Sequence, residues 1–239
     1  MGGVPLMKQN LLSSAEYQIY PGKAPAEFGH VGALNEAYRY WSGFWSKIYA
    51  DAGTPESFNP DDFLRQDFVI VLKSQGEIAA MHLYSLFELS QLAAQEHHYF
   101  KFYPASFFEF MKTRNSGYVM SFEFLTVNPK FRKSQTGISL GEVLINCAHK
   151  FLPILRVDAG IAPARTDNKV NEMGYRVGWE CFQSGIVKRT FSVDLVVGFT
   201  DKLKLHPDPE LQEVVDSLWI QRKDFTGRTN LELSEKQAA

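Results

Sequence analysis

Two cations and a glycine lie in one short loop of this chain, between an apolar stretch and a helical pattern. Arg132 and Lys133 supply positive charge, and Gly137 lets the backbone come close to a ligand. Ser139 is a suitable N-cap for the next helix, because Glu142 stands three residues later as in a capping box. Free N–H groups and the positive end of the helix dipole then face the loop. The combination predicts an anion site, most simply one for phosphate.

A strand and a helix must hold this loop in place. Residues 118–127 read as a strand that is apolar on both faces, and residues 139–152 as an amphipathic helix. The apolar positions of the helix recur at helical spacing: Leu140, Val143, Leu144, Cys147, Ala148 and Phe151. One face of the helix is therefore expected to pack on a sheet. The alternative is an ordinary strand–loop–helix turn with a solvated basic loop.

The residue order across this unit resembles motif A of the GNAT superfamily, the N-acyltransferases that use acyl-CoA. That motif reads approximately V-x-P-x-x-R-x-x-G-x-G/A-x-x-L. The residues that fall on it without a gap are Val127, Pro129, Arg132, Gly137 and Leu140. In this register Gln135 replaces the first glycine. A shifted register, with Gly137 as the first glycine and Ser139 at the small-residue position, fits the helix cap better but loses the arginine. The sequence leaves both registers open.

The order of elements along the chain agrees with the same resemblance. Periodicity and turn residues predict strands near 16–20, 68–73, 78–89, 118–127, 153–162 and 186–199, and helices near 29–50, within 91–114, at 139–152, at 166–175 and after Asp208. The resemblance covers residues 28–200 and implies an α/β (α+β) fold, with a GNAT-like, mixed, mostly antiparallel central sheet flanked by helices. We expect residues 1–27 to form an irregular N-terminal segment, 28–200 the acyltransferase domain, and 201–239 a C-terminal helix and polar tail.

The resemblance also implies where a coenzyme would bind. In the family the sheet opens beside the central strand, and the pantetheine arm of CoA pairs there with backbone groups, here those of Leu125, Thr126 and Val127. Asn168 would help to hold the arm. The pyrophosphate would lie on the loop, through Arg132, Lys133, Gln135, Thr136, Gly137, Ile138 and Ser139. The implied co-substrate is acetyl-CoA or a longer acyl-CoA, without a metal, and adjacent histidines such as His97 and His98 rarely share one ion.

A tyrosine after the motif-A helix is the candidate proton donor. A common family pattern is an Asn, a Tyr seven residues later, and then a Gly with an aromatic residue. This chain has Asn168, Tyr175 and Gly178-Trp179, one residue shorter than usual between the Tyr and the Gly. In the family such a Tyr protonates the departing thiolate, and a phenol of pKa about 10 can protonate a thiolate whose conjugate acid has a pKa of about 8.5. Alternatively, Tyr175 is a half-buried aromatic that closes the last helical turn.

The catalytic base is expected on the central strand. Family members often use a Glu there, but the matching position is Ser121. Glu123 lies two residues along the strand and therefore projects from the same face. A carboxylate among apolar residues is costly unless it is paired or functional. The alternatives are a structural Glu123 paired with a nearby Arg or Lys, and His82 as a second candidate base.

Aromatic residues are dense between the predicted hairpin and the central strand. They are Tyr99, Phe100, Phe102, Tyr103, Phe107, Phe108 and Phe110. Most are expected in the core, as aromatics at helical spacing usually are. A wide apolar lining at this place would instead favour a long acyl chain over acetyl.

Three functions therefore stay open. The first is transfer of an acetyl or short acyl group from CoA to a primary amine of a small molecule or peptide. The second resembles the long-chain N-acyl amino acid synthases and acyl-homoserine-lactone synthases, GNAT-like enzymes that can take the acyl group from acyl carrier protein. The third is a non-catalytic GNAT-like module that binds acyl-CoA.

Composition narrows the class of protein and its partners. The net charge of -2 argues against nucleic acid as the main partner. Apolar and charged fractions of 45% and 22% are typical of a globular protein. Cys147 and Cys181 lie on apolar elements, which favours a reducing compartment. No apolar run approaches the length of a membrane span, so we expect a cytoplasmic protein. The oligomeric state stays open, and a homodimer through edge strands or the C-terminal helix is one arrangement to consider.

Overall fold

One mixed sheet forms the centre of the molecule. The structure is a computed structural model that describes residues 13–23, 27 and 29–227. Within these residues the strands are β1 (Glu16–Pro21), β2 (Phe68–Ser74), β3 (Glu77–Glu88), β4 (Tyr118–Val127), β5 (Ala159–Arg165), β6 (Glu180–Lys188), β7 (Phe191–Phe199) and β8 (Lys223–Asp224). They form an 8-stranded sheet in the order β6-β7-β5-β4-β3-β2-β1-β8. Pairing is antiparallel except between β4 and β5 and between β1 and β8.

Helices cover both faces of this sheet. In the described residues they are α1 (Val31–Asp51), α2 (Asp61–Leu64), α3 (Leu92–Gln95), α4 (Ala105–Thr113), α5 (Lys133–Thr136), α6 (Leu140–Phe151), α7 (Val170–Tyr175) and α8 (Pro209–Ile220), with 3-10 turns at Pro55–Ser57, His98–Phe102, Pro129–Phe131 and Thr200–Lys202. The apolar faces of α6 and α8 share one core cluster with side chains of β1, β2 and β3. Helix α1 covers the opposite face of β2 and β3, and α4 packs beside β5 and β7. None of the helices described is long and apolar enough to span a membrane.

The two central strands part after three paired residues. β4 pairs with β5 at Val119, Met120 and Ser121 and at no later position among the described residues. The cause lies in β4, where three residues separate partners that stand two apart on β3, so β4 carries a bulge. Phe124, inside the bulge, has a φ of 54°. A bulge bends its strand and increases its twist, and here it carries the rest of β4 away from β5.

Helix α1 stabilises this bulge. A positive φ in a bulky residue costs of the order of 1–3 kcal/mol. The Phe124 ring offsets that cost by lying edge-on between Trp41 and Trp45, with ring centroids 5.3 and 5.1 Å away. Each such aromatic pair contributes about 0.5–1.5 kcal/mol beyond its buried area. The indole N–H of Trp45 also donates to the Thr126 hydroxyl at 2.9 Å, so α1 holds both ends of the bulge.

Most of the element order predicted from the sequence is confirmed, and two expectations need correction. The strand expected at 153–162 begins at Ala159, because residues 153–157 form a turn that closes α6, with Arg156 at a φ of 54°. The stretch 186–199 is the end of β6 followed by β7, reversed at Arg189, whose φ is 59°. Strand β1 matches the strand predicted near 16–20 within the segment 1–27, and the tail beyond Gly227 lies outside the described residues.

Two glycines make room for a buried tryptophan. Gly160 of β5 and Gly198 of β7 are paired neighbours, and the Trp179 ring lies flat on them. A Cβ at Gly198 would come within 2.5 Å of the ring, and one at Gly160 within 2.7 Å of Phe122 and 2.9 Å of Trp179. The Trp179 N–H donates to His149 Nε2 at 2.8 Å, which holds the ring in place. The platform therefore tolerates no side chain larger than hydrogen.

We expect Gly198→Ala to lower the free energy of unfolding by about 1–3 kcal/mol, because the added methyl group overpacks the core. Gly43→Ala is the matched control. Gly43 lies within α1, a Cβ there would meet nothing within 4 Å, and the change should stabilise the protein by about 0.5–1 kcal/mol. Denaturant titrations of both variants measure the difference. Equal stability of Gly198→Ala and the parent protein would contradict the tight contact.

Candidate active site

The parting of β4 and β5 opens a cavity on each face of the sheet. We call them the apolar cavity, with about 630 Å³ of empty space including its mouth, and the charged cavity, with about 690 Å³. The side chains that line both are Trp45, Phe122, Phe124, Pro163 and Arg165. The two cavities therefore meet at the bulge. A ligand entering from one face can approach a ligand entering from the other.

The apolar cavity lies between β4, β5 and the helices α6 and α7. Its walls include Leu125, Ile145, Ala162, Val170 and Trp179. Asn168, predicted to hold a pantetheine arm, is also in its lining. The edge of β4 that faces this cavity has no strand partner beyond Ser121 in the described residues. Beyond Ser121 its backbone groups lack strand partners on this side, although the Phe124 carbonyl oxygen accepts from the Thr126 hydroxyl at 2.7 Å, and an extended ligand in the gap could pair with the others.

Thr126 and Val127, predicted beside Leu125 as backbone contacts, lie at the end of β4. They pair with Met81 and Ala80 of β3. The Thr126 side chain is fully buried and bonds to Trp45, so any contact with a ligand would come from its backbone. Of the three residues, Leu125 alone lies in the lining of the apolar cavity.

The loop between β4 and α6 presents the predicted cations and the helix start together. Arg132, Lys133 and Gln135 are exposed. Gly137 ends α5 with a φ of 76°, and Ser139 caps α6 by accepting from the Glu142 N–H at 3.5 Å. The backbone thus turns at Gly137 and starts the helix at Leu140, and both registers of the motif place a glycine at this turn. The loop can offer N–H groups and two cations to one anion.

Two of the predicted loop residues point inward instead. Thr136 is buried, and its hydroxyl lies 3.1 Å from the Ile138 carbonyl oxygen and accepts from the Ile138 N–H at 3.3 Å. The Ile138 side chain joins the main core cluster. Both side chains therefore shape the loop, and any contact they make with an anion would come from the backbone.

An acidic group at the helix start is neutralised by its neighbours. Glu142 accepts from Arg176 Nε at 2.8 Å and lies 3.4 Å from His206 Nε2. Burial alone would raise the pKa of Glu142, but the Ser139 and His206 hydrogen bonds and the Arg176 charge hold it below its ordinary value. The carboxylate is therefore ionised and paired. Its charge does not oppose an anion bound at the loop.

The charged cavity contains the predicted base in an ion pair. Glu123 is 6% exposed, and both of its carboxylate oxygens accept from the Arg65 guanidinium, one of them at 2.8 Å. The Ser121 hydroxyl donates to Glu123 at 2.7 Å. The structure thus shows the Glu–Arg pair that the sequence left as an alternative. It also places this carboxylate in the wall of the charged cavity, whose lining shares Phe122 and Phe124 with the apolar cavity.

A second buried carboxylate, that of Asp62, lies in the wall of the charged cavity. Asp62 accepts from Arg189 Nη2 at 2.9 Å and lies 3.5 Å from Arg65 Nε and 3.2 Å from His98 Nε2. Burial alone would raise the pKa of Asp62, but the Arg189 and Arg65 charges and the His98 hydrogen bond lower it. The network ties α2 to the β6–β7 turn. Arg65, Arg189 and Lys188 were not found from the sequence. No local pattern shows that the β6–β7 turn contacts the acidic residues of α2, which lie more than half the chain away in sequence.

The other candidate proton carriers lie away from this pair. The Tyr175 hydroxyl donates to Asp194 Oδ2 at 2.7 Å, and burial followed by this hydrogen bond raises the pKa of the phenol. Tyr175 is absent from the lining described for either cavity. His82 lines the apolar cavity but is 2% exposed, with Nδ1 3.0 Å from the Tyr84 hydroxyl, and burial lowers its pKa to about 3. The ring is therefore neutral.

Comparisons with known proteins identify the fold. No protein-family model matches the chain, and no curated protein matches its sequence. Solved structures do. A CoA-dependent acyl-homoserine lactone synthase, BjaI, solved with SAM and isopentyl-CoA, aligns with a TM-score of 0.54 at 9% identity, over 91% of this chain and 99% of that chain.

Two further structures align over most of their length. FeeM, an N-acyl amino acid synthase from uncultured soil microbes, has a TM-score of 0.50 at 7% identity, over 80% of this chain and 93% of that chain. Arylalkylamine N-acetyltransferase 2 from Aedes aegypti has a TM-score of 0.50 at 11% identity, over 77% of this chain and 99% of that chain. The chain therefore has the GNAT fold of these acyltransferases, with the mixed, mostly antiparallel sheet that its sequence predicts.

We expect Arg65→Met to lower the free energy of unfolding by about 3–5 kcal/mol, because it leaves the Glu123 carboxylate buried without its partner. Adding Glu123→Gln should restore part of the loss. Lys130→Met is the matched control, since the Lys130–Glu77 pair is exposed and should contribute less than about 1 kcal/mol. Denaturant unfolding of the four proteins measures these values. If Arg65→Met and Lys130→Met lower the free energy of unfolding equally, burial does not strengthen the Arg65–Glu123 pair.

Proposed function

We propose that this chain is an N-acyltransferase that moves an acyl group from an acyl-CoA thioester to a primary amine of a small molecule or peptide. The observation that carries the proposal is the pair of cavities that meet at the β4 bulge. One face offers an apolar channel and an anion-binding loop, as a CoA thioester requires. The other offers a carboxylate beside the same point, as an amine nucleophile requires.

The donor side follows from the loop and the gap. The CoA pyrophosphate would bind between Arg132, Lys133 and the N–H groups after Gly137, and the pantetheine arm would run along the free edge of β4 past Leu125 and Asn168. The neighbour BjaI is CoA-dependent and was solved with isopentyl-CoA, which supports CoA as the donor. The reaction proposed for this chain needs no metal.

The chemistry needs one proton acceptor and one proton donor. The amine nitrogen attacks the thioester carbonyl, a C–N bond forms, and the C–S bond breaks. The acceptor ammonium first gives one proton to Glu123, directly or through water, because only the neutral amine has a lone pair for the attack. The leaving thiolate takes a proton from the donor proposed for it, Tyr175, and the second proton that the nitrogen loses returns to the tyrosinate. The hydroxyl of Tyr175 would have to turn from Asp194 toward the gap to deliver that proton.

A second candidate is a long-chain N-acyl amino acid synthase that takes its acyl group from acyl carrier protein. The likeness to FeeM favours it. The aromatic segment gives it limited support, because Tyr99, Phe100, Tyr103 and Phe107 fill a core cluster against β5 and β7. Tyr99 and Phe102 alone of the segment lie in the lining described for the charged cavity.

Donor binding gives the first test. We expect acetyl-CoA to bind in calorimetric titration, and the double variant Arg132→Ala/Lys133→Ala to weaken binding by about tenfold, or about 1.4 kcal/mol. The effect should shrink at high salt, since both side chains are exposed. Lys130→Ala, in the same segment but paired with Glu77, is the control. Preference for palmitoyl-CoA would favour the long-chain candidate, and no binding of either would contradict a CoA donor.

Catalytic variants give the second test. We expect Glu123→Gln and Tyr175→Phe each to lower the turnover number by about 10²–10⁴-fold, since each removes a proton-transfer group. The dissociation constant of acetyl-CoA should change little, because neither side chain lies on the phosphate loop. Steady-state kinetics and calorimetry on the same preparations measure the two quantities. If both variants turn over normally, these residues are not the base and the acid. Donor binding without turnover in the parent protein would indicate a non-catalytic binding module.

A further inference from the structure

The charged cavity holds one cation that has no acidic partner among the described residues. Four cationic side chains and two carboxylates line the cavity: Arg65, Arg165, Lys188, Arg189, Asp62 and Glu123. Arg65 pairs with Glu123, and Arg189 pairs with Asp62. Arg165 pairs at 2.6 Å with Asp167, which stands outside the lining. In the part of the chain that the structure describes, this leaves the ammonium of Lys188 without an ion pair.

Aromatic rings hold this ammonium in the cavity wall. Lys188 Nζ lies 5.2 Å from the centre of the Tyr99 ring and 5.9 Å from that of Phe102. The side chain is half-buried, and Arg189 follows it in the chain. Burial lowers the pKa of Lys188 to about 8, partly opposed by the Glu123 charge, so the amine remains mostly protonated at neutral pH. A cation in this position has lost hydration without gaining a counter-ion, so an anion that arrives there is bound favourably.

The rest of the cavity indicates what carries that anion. Glu123, although paired with Arg65, is the carboxylate that the proposed reaction places beside the acceptor amine, and Lys188 provides a positive charge within electrostatic reach of it. Aromatic side chains of Trp45, Tyr49 and Phe191 complete the wall. A small zwitterion with an apolar body matches this pattern of charge, with its ammonium at Glu123 and its anion at Lys188. A plain amine would leave Lys188 uncompensated.

We propose that Lys188 is the counter-ion for a carboxylate on the acceptor, and that the acceptor is therefore an amine that also carries a carboxylate, such as an amino acid. The proposal rests on the proposed acyl transfer and narrows its substrate class. Lys188 is a specificity-determining residue in this scheme. It binds the end of the acceptor that does not react.

Comparing each amino acid with its amide tests the contribution of the carboxylate separately from that of the amine. The standard amino acids and their amino amides are compared with acetyl-CoA as donor, in the parent protein, Lys188→Met, Lys188→Arg and the control Lys101→Met. Lys101 is an exposed lysine on the same 3-10 turn as Tyr99 and Phe102. In the parent we expect kcat/KM for the best acid to exceed that for its amide at least about tenfold, the ratio that 1.4 kcal/mol of binding gives.

The variants then assign the effect to Lys188. Lys188→Met should raise KM for the acids about tenfold or more, leave kcat close to the parent value and leave the amides unchanged. Lys188→Arg should keep most of the preference, and Lys101→Met all of it. Equal use of acids and amides by the parent would overturn the proposal. So would a fall of kcat in Lys188→Met for both classes alike, which would instead make Lys188 a base or a structural residue.

Equilibrium binding separates this proposal from the proposed reaction. Thermal unfolding is followed with each acid and each amide, without any acyl donor. Stabilisation by acids that Lys188→Met abolishes would support the carboxylate site even if no acyl transfer is found. Acyl transfer to amines that lack a carboxylate, without stabilisation by acids, would support the reaction and overturn the Lys188 proposal.

Discussion

The bulge in β4 is the constraint on which the rest of the structure depends. A regular β4 would continue its pairing with β5, and the sheet would have no gap to open to both faces. Phe124 can keep its unfavourable backbone conformation because two tryptophans of α1 enclose its ring. The same helix is also hydrogen-bonded through Trp45 to Thr126, two residues further along β4. Site geometry in this protein is therefore set by a helix that supplies Trp45 to the walls of both cavities and Tyr49 to the wall of the charged cavity.

Charge balance is the second constraint, because the two carboxylates of the charged cavity are buried. Buried carboxylates and guanidinium groups are tolerated there as pairs, each oxygen meeting a donor. Asp62 and Glu123 both meet this condition, and they join α2, β4 and the β6–β7 turn, which are far apart in sequence. Against this background a single uncompensated ammonium stands out. Under the Lys188 proposal, an acceptor carboxylate would supply the negative charge that Lys188 lacks among the described residues.

Local patterns in the sequence predict the strand, loop and helix of the proposed donor side, but they do not show which charged residues come together on the proposed acceptor side. The loop after β4 could be read directly, because cations, glycine, helix cap and helix follow one another within a dozen positions. Hydrophobic periodicity likewise predicts β4, α6 and the β2–β3 hairpin. The start of β5 was predicted too early in the chain, because the turn after α6 carries apolar residues that resemble a strand. The sequence could not show which residue pairs with Glu123, because Arg65 is brought to it by tertiary contacts alone. Asp194, which holds the Tyr175 hydroxyl, escaped notice for the same reason.

Strand β8 has a consequence for how the chain reaches this structure. Lys223 and Asp224 pair with Gln18 and Ile19 of β1, and Phe225 stacks on Tyr20 with ring centroids 4.8 Å apart. During synthesis on the ribosome, the outer edge of β1 therefore has no β8 to pair with until the chain is about two hundred residues longer. Until then it is an unpaired strand edge able to join a neighbouring chain. The sheet of the described residues can therefore be completed only after residues 223–224 have been synthesised.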